Sequence, residues 1–148
     1  MEDEYYLKFP SVLRKALQSK TVTLPEKLKY EYEPLRVFRG IRYKEGKKEI
    51  IDKSDFLSQA ERNLPNTDFT DIGSYSCSCF EDVEELILSY SLPRKNKAIA
   101  KGIMTCTLGA RLDDPDRTHR HWFLYDEADP SDDFEVYNYD YEKMDRNS

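Results

Sequence analysis

Three small groups of side chains in this sequence are suited to holding a charged ligand: Arg39 with Gly40, Tyr75 with Ser76 and Ser78, and His119 with His121. A guanidinium is a planar fork that can grip a phosphate through two parallel hydrogen bonds. A glycine beside it lets backbone come close. Arg39 is therefore either a phosphate clamp or a structural ion-pair residue. Tyr75 is a stacking ring or plain core, and Ser78 is a site brace, a helix cap or both. His119 and His121 alternate along a strand, so they share a face. As zinc ligands they lack two partners, so they are expected in a pocket or an exposed loop and no metal is expected. Cys77, Cys79 and Cys106 form no Cys-x-x-Cys motif and read as buried free thiols.

Local patterns supply the elements that must position these groups. Residues 10–19 read as a helix capped by Ser11, with Val12, Leu13, Ala16 and Leu17 on one face. Leu35 to Tyr43 alternates as a strand, with Val37, Arg39 and Ile41 on one side and Phe38, Gly40 and Arg42 on the other. Lys44 to Lys47 is a turn signal. Ser54 or Asp55 is expected to cap a short helix through Arg62, followed by a loop to Gly73. Tyr75 to Cys79 reads as a strand. Ser78-x-x-Glu81 then matches a capping box ahead of a stripe of Val83, Leu86, Ile87 and Tyr90. Pro93 ends that helix. Ala98 to Leu108, His121 to Tyr125 and Phe134 to Tyr139 are further strands, and Asp113-Asp114-Pro115-Asp116 is a turn. Helices first and strands later imply an α+β domain with a largely antiparallel sheet.

The bulk numbers narrow the function classes. A chain of 148 residues suits a single domain spanning 1–148, with 1–9 and 140–148 expected to fray. Hydrophobic residues at 39% and charged residues at 35% make a wet but foldable chain. A net charge of −6 argues against general nucleic-acid binding, which needs a basic face. No apolar run approaches the roughly 20 residues of a membrane span. The acidic start Met1-Glu2-Asp3-Glu4 lacks a signal-peptide layout, so a cytoplasmic location is expected.

Taken in order, Val37-Phe38-Arg39-Gly40, Gly73 to Phe80 and Gly102-Ile103-Met104-Thr105-Cys106 resemble the arginine-serine-glutamate class of ADP-ribosyltransferases. The likeness covers roughly Leu35 to Tyr137. It implies an ADP-ribosyltransferase-like fold, with N-terminal helices and a mostly antiparallel split β core. It implies NAD as a substrate and a protein or nucleic-acid acceptor. Arg39 would clamp the pyrophosphate, Gly40 would take the nicotinamide amide, Tyr75 would stack, and Ser76 or Ser78 would brace the site. The sequence departs from that class twice. Cys77-Ser78-Cys79 stands where Ser-Thr-Ser is usual, and His119-x-His121 stands where the class has Glu-x-Glu. The ribose contact therefore falls to His121 or, with a shifted strand, to Glu127, the nearest glutamate, or Asp126, the nearest carboxylate. A carboxylate there stabilises an oxocarbenium-like cation better than neutral imidazole does.

The C-terminal end carries a competing reading. Nine acidic residues lie between Asp126 and Asp145, with Lys143 as the one base among them, and Tyr137, Tyr139 and Tyr141 alternate through the stretch. This is a solvated or frayed end, or else an interaction strip. In the second case the protein is a non-catalytic acidic inhibitor of phage or mobile-element type that docks on a basic protein partner.

Overall fold

Alternation along β1 (Leu35–Arg42) sets the plan of the fold. Val37 and Ile41 are buried on one side with Phe56, Cys77, Cys79 and Trp122, while Phe38 is buried on the other with Phe80, Leu86, Ile87 and Ile99. A strand covered on both faces belongs inside a sheet. The computed structural model, which describes residues 6–42 and 50–142, has β1 as an interior strand. The other strands are β2 (Cys77–Phe80), β3 (Lys97–Met104), β4 (Gly109–Asp113), β5 (His119–Leu124) and β6 (Phe134–Tyr137). They form a single sheet in the order β4-β5-β2-β1-β3-β6, antiparallel throughout. The α+β class expected from the sequence holds.

The pairing within that sheet is uneven. β1 and β3 stay in register from Leu35↔Met104 to Arg42↔Lys97. β1 and β2 meet only at Phe38↔Phe80. The sheet is therefore narrowest there, where one bridge joins two halves, or leaves, β4-β5-β2 and β1-β3-β6.

Among the described residues, α1 (Ser11–Gln18), α2 (Gln59–Arg62) and α3 (Val83–Tyr90) lie against it. Leu13 and Ala16 of α1 are buried as expected, but Ser11 does not cap it. Pro10 holds the cap position, because the fully buried Phe9 fixes where the chain enters. Phe9 also lies within the stretch expected to fray. The helix expected from Ser54 or Asp55 is instead a 3-10 turn, Lys53–Phe56, capped by Asp52, followed by α2 with a Ser58–Glu61 capping box. The expected Ser78–Glu81 box does not form. Pairing with β5 keeps Ser78 inside β2, and Asp82 caps α3 by accepting from the Glu84 N–H at 3.0 Å. The strand expected to run to Leu108 stops at Met104, and a turn leads into β4, which the sequence pattern had not marked. The turn expected at 44–47 and the chain beyond 142 lie outside the described residues. Among the described residues no helix is long and apolar enough to cross a membrane.

Candidate functional site

Two apolar clusters lie along the sheet with a polar band between them. One gathers Phe9, Leu13, Ala16, Tyr75, Ala110 and Phe123, and the other gathers Phe38, Phe80, Leu86, Ile87 and Ile99. His119, His121 and Phe123 alternate along β5, so they point the same way. His119 stacks on Phe80 with ring centroids 4.7 Å apart, and His121 sits 6.5 Å from Phe123. Ser78 faces His121 across the β2–β5 ladder.

Arg39 occupies the parting of the sheet. Two residues beyond Phe38↔Phe80, where continued register would put Gly40 opposite Ser78, the Ser78 carbonyl accepts from Arg39 Nη1 at 2.7 Å. Arg39 Nε donates to the Asp55 carbonyl, also at 2.7 Å. Its guanidinium lies 6.0 Å from the Phe56 ring centroid. Burial disfavours its charge, but Cys77, Cys79, Tyr90 and Asp55 more than offset this and hold its pKa above the ordinary value. Arg39 is thus a tie between the two leaves, made through hydrogen bonds to the Ser78 and Asp55 carbonyls.

Beside it opens a cleft of about 180 Å³. Its walls are Arg39 and Gly40 of β1, Ser76 and Ser78 at β2, Gln59 and Arg62 of α2, Tyr90 of α3, and Lys97 of β3, with Leu57, Leu64 and Leu92. A continuation reaches Arg42 and Ser54. In a chain of net charge −6, this region concentrates positive charge. Burial and then the neighbouring Arg62, Arg94, Arg39 and Arg42 push the Lys97 pKa down. Burial, Arg42 and Arg39 do the same to Arg62. Cations gathered this closely make a locally positive potential that attracts anions. Tyr90 is 39% exposed at the cleft. Burial raises its pKa against the opposing pull of Arg39 and a hydrogen bond with Ser78.

Next to the cleft wall lies a second polar group. Ser76 Oγ donates to the Gly73 carbonyl at 2.8 Å and lies 3.0 Å from His121 Nδ1. His121 Nε2 is 3.1 Å from Asp114 Oδ1, and His119 Nδ1 is 2.6 Å from Asp114 Oδ2. Burial lowers the His119 pKa, only partly offset by Asp114. Burial works against the charge of Asp114, but its bonds to His119 and His121 keep its carboxyl below the ordinary value.

The sequence-expected residues divide accordingly. Arg39, Gly40, Ser76 and Ser78 line one cleft, and His121 stands one hydrogen bond behind Ser76. Tyr75 is in the core instead, its ring 6.5 Å from Phe69 and its hydroxyl donating to the Phe69 carbonyl. Glu127 is exposed in the turn after β5 and does not line the cleft. Sequence reasoning missed Arg62 and Lys97, which carry no motif. It counted Tyr90 as part of a core stripe and Asp114 as part of a turn.

Gly40 offers a clean probe of this cleft. A methyl group built there would meet Tyr90 Cδ2 at 3.8 Å and Leu86 Cδ1 at 3.9 Å, which is ordinary packing. Gly40→Ala should therefore fold with stability within about 1 kcal/mol of the parent. An alanine that melted far below the parent would show that the space is not open. Searched against protein-family models, curated proteins and solved structures, the chain matches none.

Proposed function

We propose that the chain is an ADP-ribosyltransferase-like protein that binds NAD in the cleft at the parting of the sheet. One observation carries this reading: Arg39 and Gly40 share a cation-rich cleft with Ser76 and Ser78, from a separate motif later in the chain. The pyrophosphate of NAD brings two negative charges, and Arg39, Arg62 and Lys97 supply the counter-charge. Tyr90 takes the stacking role that the sequence suggested for Tyr75. Gly40 lets the nicotinamide amide approach backbone. His121 is the ribose-side residue, and Asp114 behind it supplies the negative charge that a neutral imidazole lacks. Glu127 has no part in this arrangement. The nicotinamide–ribose bond of NAD would break, nicotinamide would leave, and the ADP-ribose would be attached to a protein or nucleic-acid acceptor, whose proton is lost to solvent.

Thermal melting with and without NAD tests the reading. At a hundredfold excess over Kd, NAD should stabilise by about 2.7 kcal/mol, a rise of roughly 5–10 °C. Gly40→Ala should weaken binding about tenfold, because its methyl narrows the cleft against Tyr90. No shift from NAD, with inorganic pyrophosphate giving one, would leave an anion site and sink the NAD assignment. Labelled NAD with a host lysate then reports transfer.

A second reading keeps one specific support. Asp132, Asp133, Glu135 and Asp140 are exposed, while Tyr137, Tyr139 and Tyr141 pack against the α3 cluster. The strip is therefore held on the domain with its carboxylates outward, as an acidic interaction surface for a basic protein would be. Capture of such a partner that weakens with salt and with Asp132→Asn, Asp133→Asn and Asp140→Asn, unmoved by NAD, would favour it.

A further inference from the structure

We propose that Asp114, His119 and His121 form a binding site for one divalent transition-metal ion of the Zn²⁺ type. The sequence offered two histidines lacking partners, and the β4–β5 turn brings a third donor to them. One donor atom from each residue lies within 4.8 Å of the others. Two imidazole nitrogens and a carboxylate oxygen are a borderline donor set that suits Zn²⁺, and they leave a fourth position open. In a tetrahedral Zn²⁺ site donors stand about 3.4 Å apart, so a set within 4.8 Å must contract by at most about 1.4 Å at its widest edge.

Counting protons locates where a cation would sit. Ser76 has one hydroxyl hydrogen, and it goes to the Gly73 carbonyl. The contact between Ser76 Oγ and His121 Nδ1 must then be an Nδ1–H donation to the serine oxygen. In the neutral ring, Nε2 is consequently a bare lone pair, 3.1 Å from a carboxylate oxygen of Asp114. Two lone pairs do not face each other at that distance without a cation between them. A proton or a metal ion can fill that place. The Ser76 bond also fixes the ring as the outer partners of metal-bound histidines do. His119 Nε2 is buried without a hydrogen-bond partner among the described residues, so no bond at that nitrogen resists the rotation that closes the set.

The frame is stiff and reachable. Both histidines stand on β5, held between β2 and β4, and the Asp114 N–H donates to the His119 carbonyl at 3.1 Å. Their side chains are 12% and 16% exposed against 27% for Asp114, so an ion enters from the aspartate side. Arg117 comes within 3.9 Å of Asp114, but its charge is offset by Glu85. An ion on Nε2 of His121 leaves the Nδ1 contact with Ser76 in place; with the ion bound, the Asp114 charge goes to the metal and not to the ribose side, so the metal site stands or falls separately from the NAD reading.

The test uses tag-free full-length protein treated with chelator and then dialysed against zinc chloride. Elemental analysis should return one zinc per chain. Substitution with cobalt chloride should give visible d–d bands of a low-coordinate site with nitrogen donors. Asp114→Asn, which changes no shape, should lower zinc affinity by at least tenfold, and His121→Ala should abolish retention. Ser76→Ala should weaken zinc binding by about tenfold through the lost outer contact. Folded parent protein that retains no zinc and gives no cobalt spectrum would overturn the proposal. So would zinc retained equally by the parent and by folded Asp114→Asn.

Discussion

Arg39→Met should lower the melting temperature by roughly 10 °C, corresponding to about 3 kcal/mol, before any ligand is considered. Methionine keeps the stem over Phe56 but removes both donors. The Ser78 and Asp55 carbonyls then lose charged partners held at 2.7 Å, beside the single bridge Phe38↔Phe80 that joins β1 and β2. Hydrogen bonds to a charged group contribute about 1.5–3 kcal/mol each, and an enclosed carbonyl left bare costs about 1–3. Arg39→Lys separates this structural role from ligand binding. An ammonium reaches one of the two carbonyls, so about half of the loss should return. It lacks the planar fork, so the NAD-dependent shift should stay absent. Arg39→Met melting within about 2 °C of the parent would mean that the guanidinium does not join the leaves. Arg39→Lys with a full NAD shift would remove Arg39 from the phosphate site while leaving its structural role intact.

How far the sequence could be read follows from which features are local. The period-2 pattern of β1 and the 3–4 stripe of α3 are properties of neighbours in the chain, and both were legible. The antiparallel α+β class followed from their order. The parting of the sheet depends on a side chain reaching carbonyls 16 and 39 residues away, and spacing alone does not encode that. The two tyrosines show the same limit. Tyr75 ends a 3-10 turn, Ile72–Tyr75, that swings its ring into the α1 cluster. Tyr90, counted as core, sits at the last turn of α3 over the cleft. Glu127 was the nearest glutamate in sequence, but β5 extends to Leu124 and carries the chain away from Ser78↔His121 before it turns. Asp114 was hidden for the opposite reason. A turn signal explained it fully, so nothing asked for a second role.

Gly102→Ala should cost about 3 kcal/mol, although it is the same chemical change that Gly40 is expected to tolerate. Gly102 lies on β3 opposite Phe134 of β6. A methyl group there would overlap Phe134 Cγ and the backbone oxygen of Asp133. Neither can give way cheaply. Phe134 is packed 4.8 Å from Phe56 and 6.2 Å from Trp122, and the Asp133 carbonyl belongs to the turn that starts β6. The strain should fall on β6, an edge strand held through Ile99↔Tyr137 to Gly102↔Phe134. Hydrogen exchange should therefore quicken along 134–137 more than in β5, whose pairing lies on the other leaf. A double-mutant cycle separates overlap from backbone effects. Phe134→Ala alone loses a buried ring, yet with Gly102→Ala it removes one of the two overlaps, so the pair should cost less than the sum of the singles. The Asp133 oxygen remains in the way, so the rescue should be partial. Full additivity would mean that the ring is not what excludes a side chain at Gly102. The cost would then come from the Asp133 backbone, and only β6 leaving the sheet could relieve it.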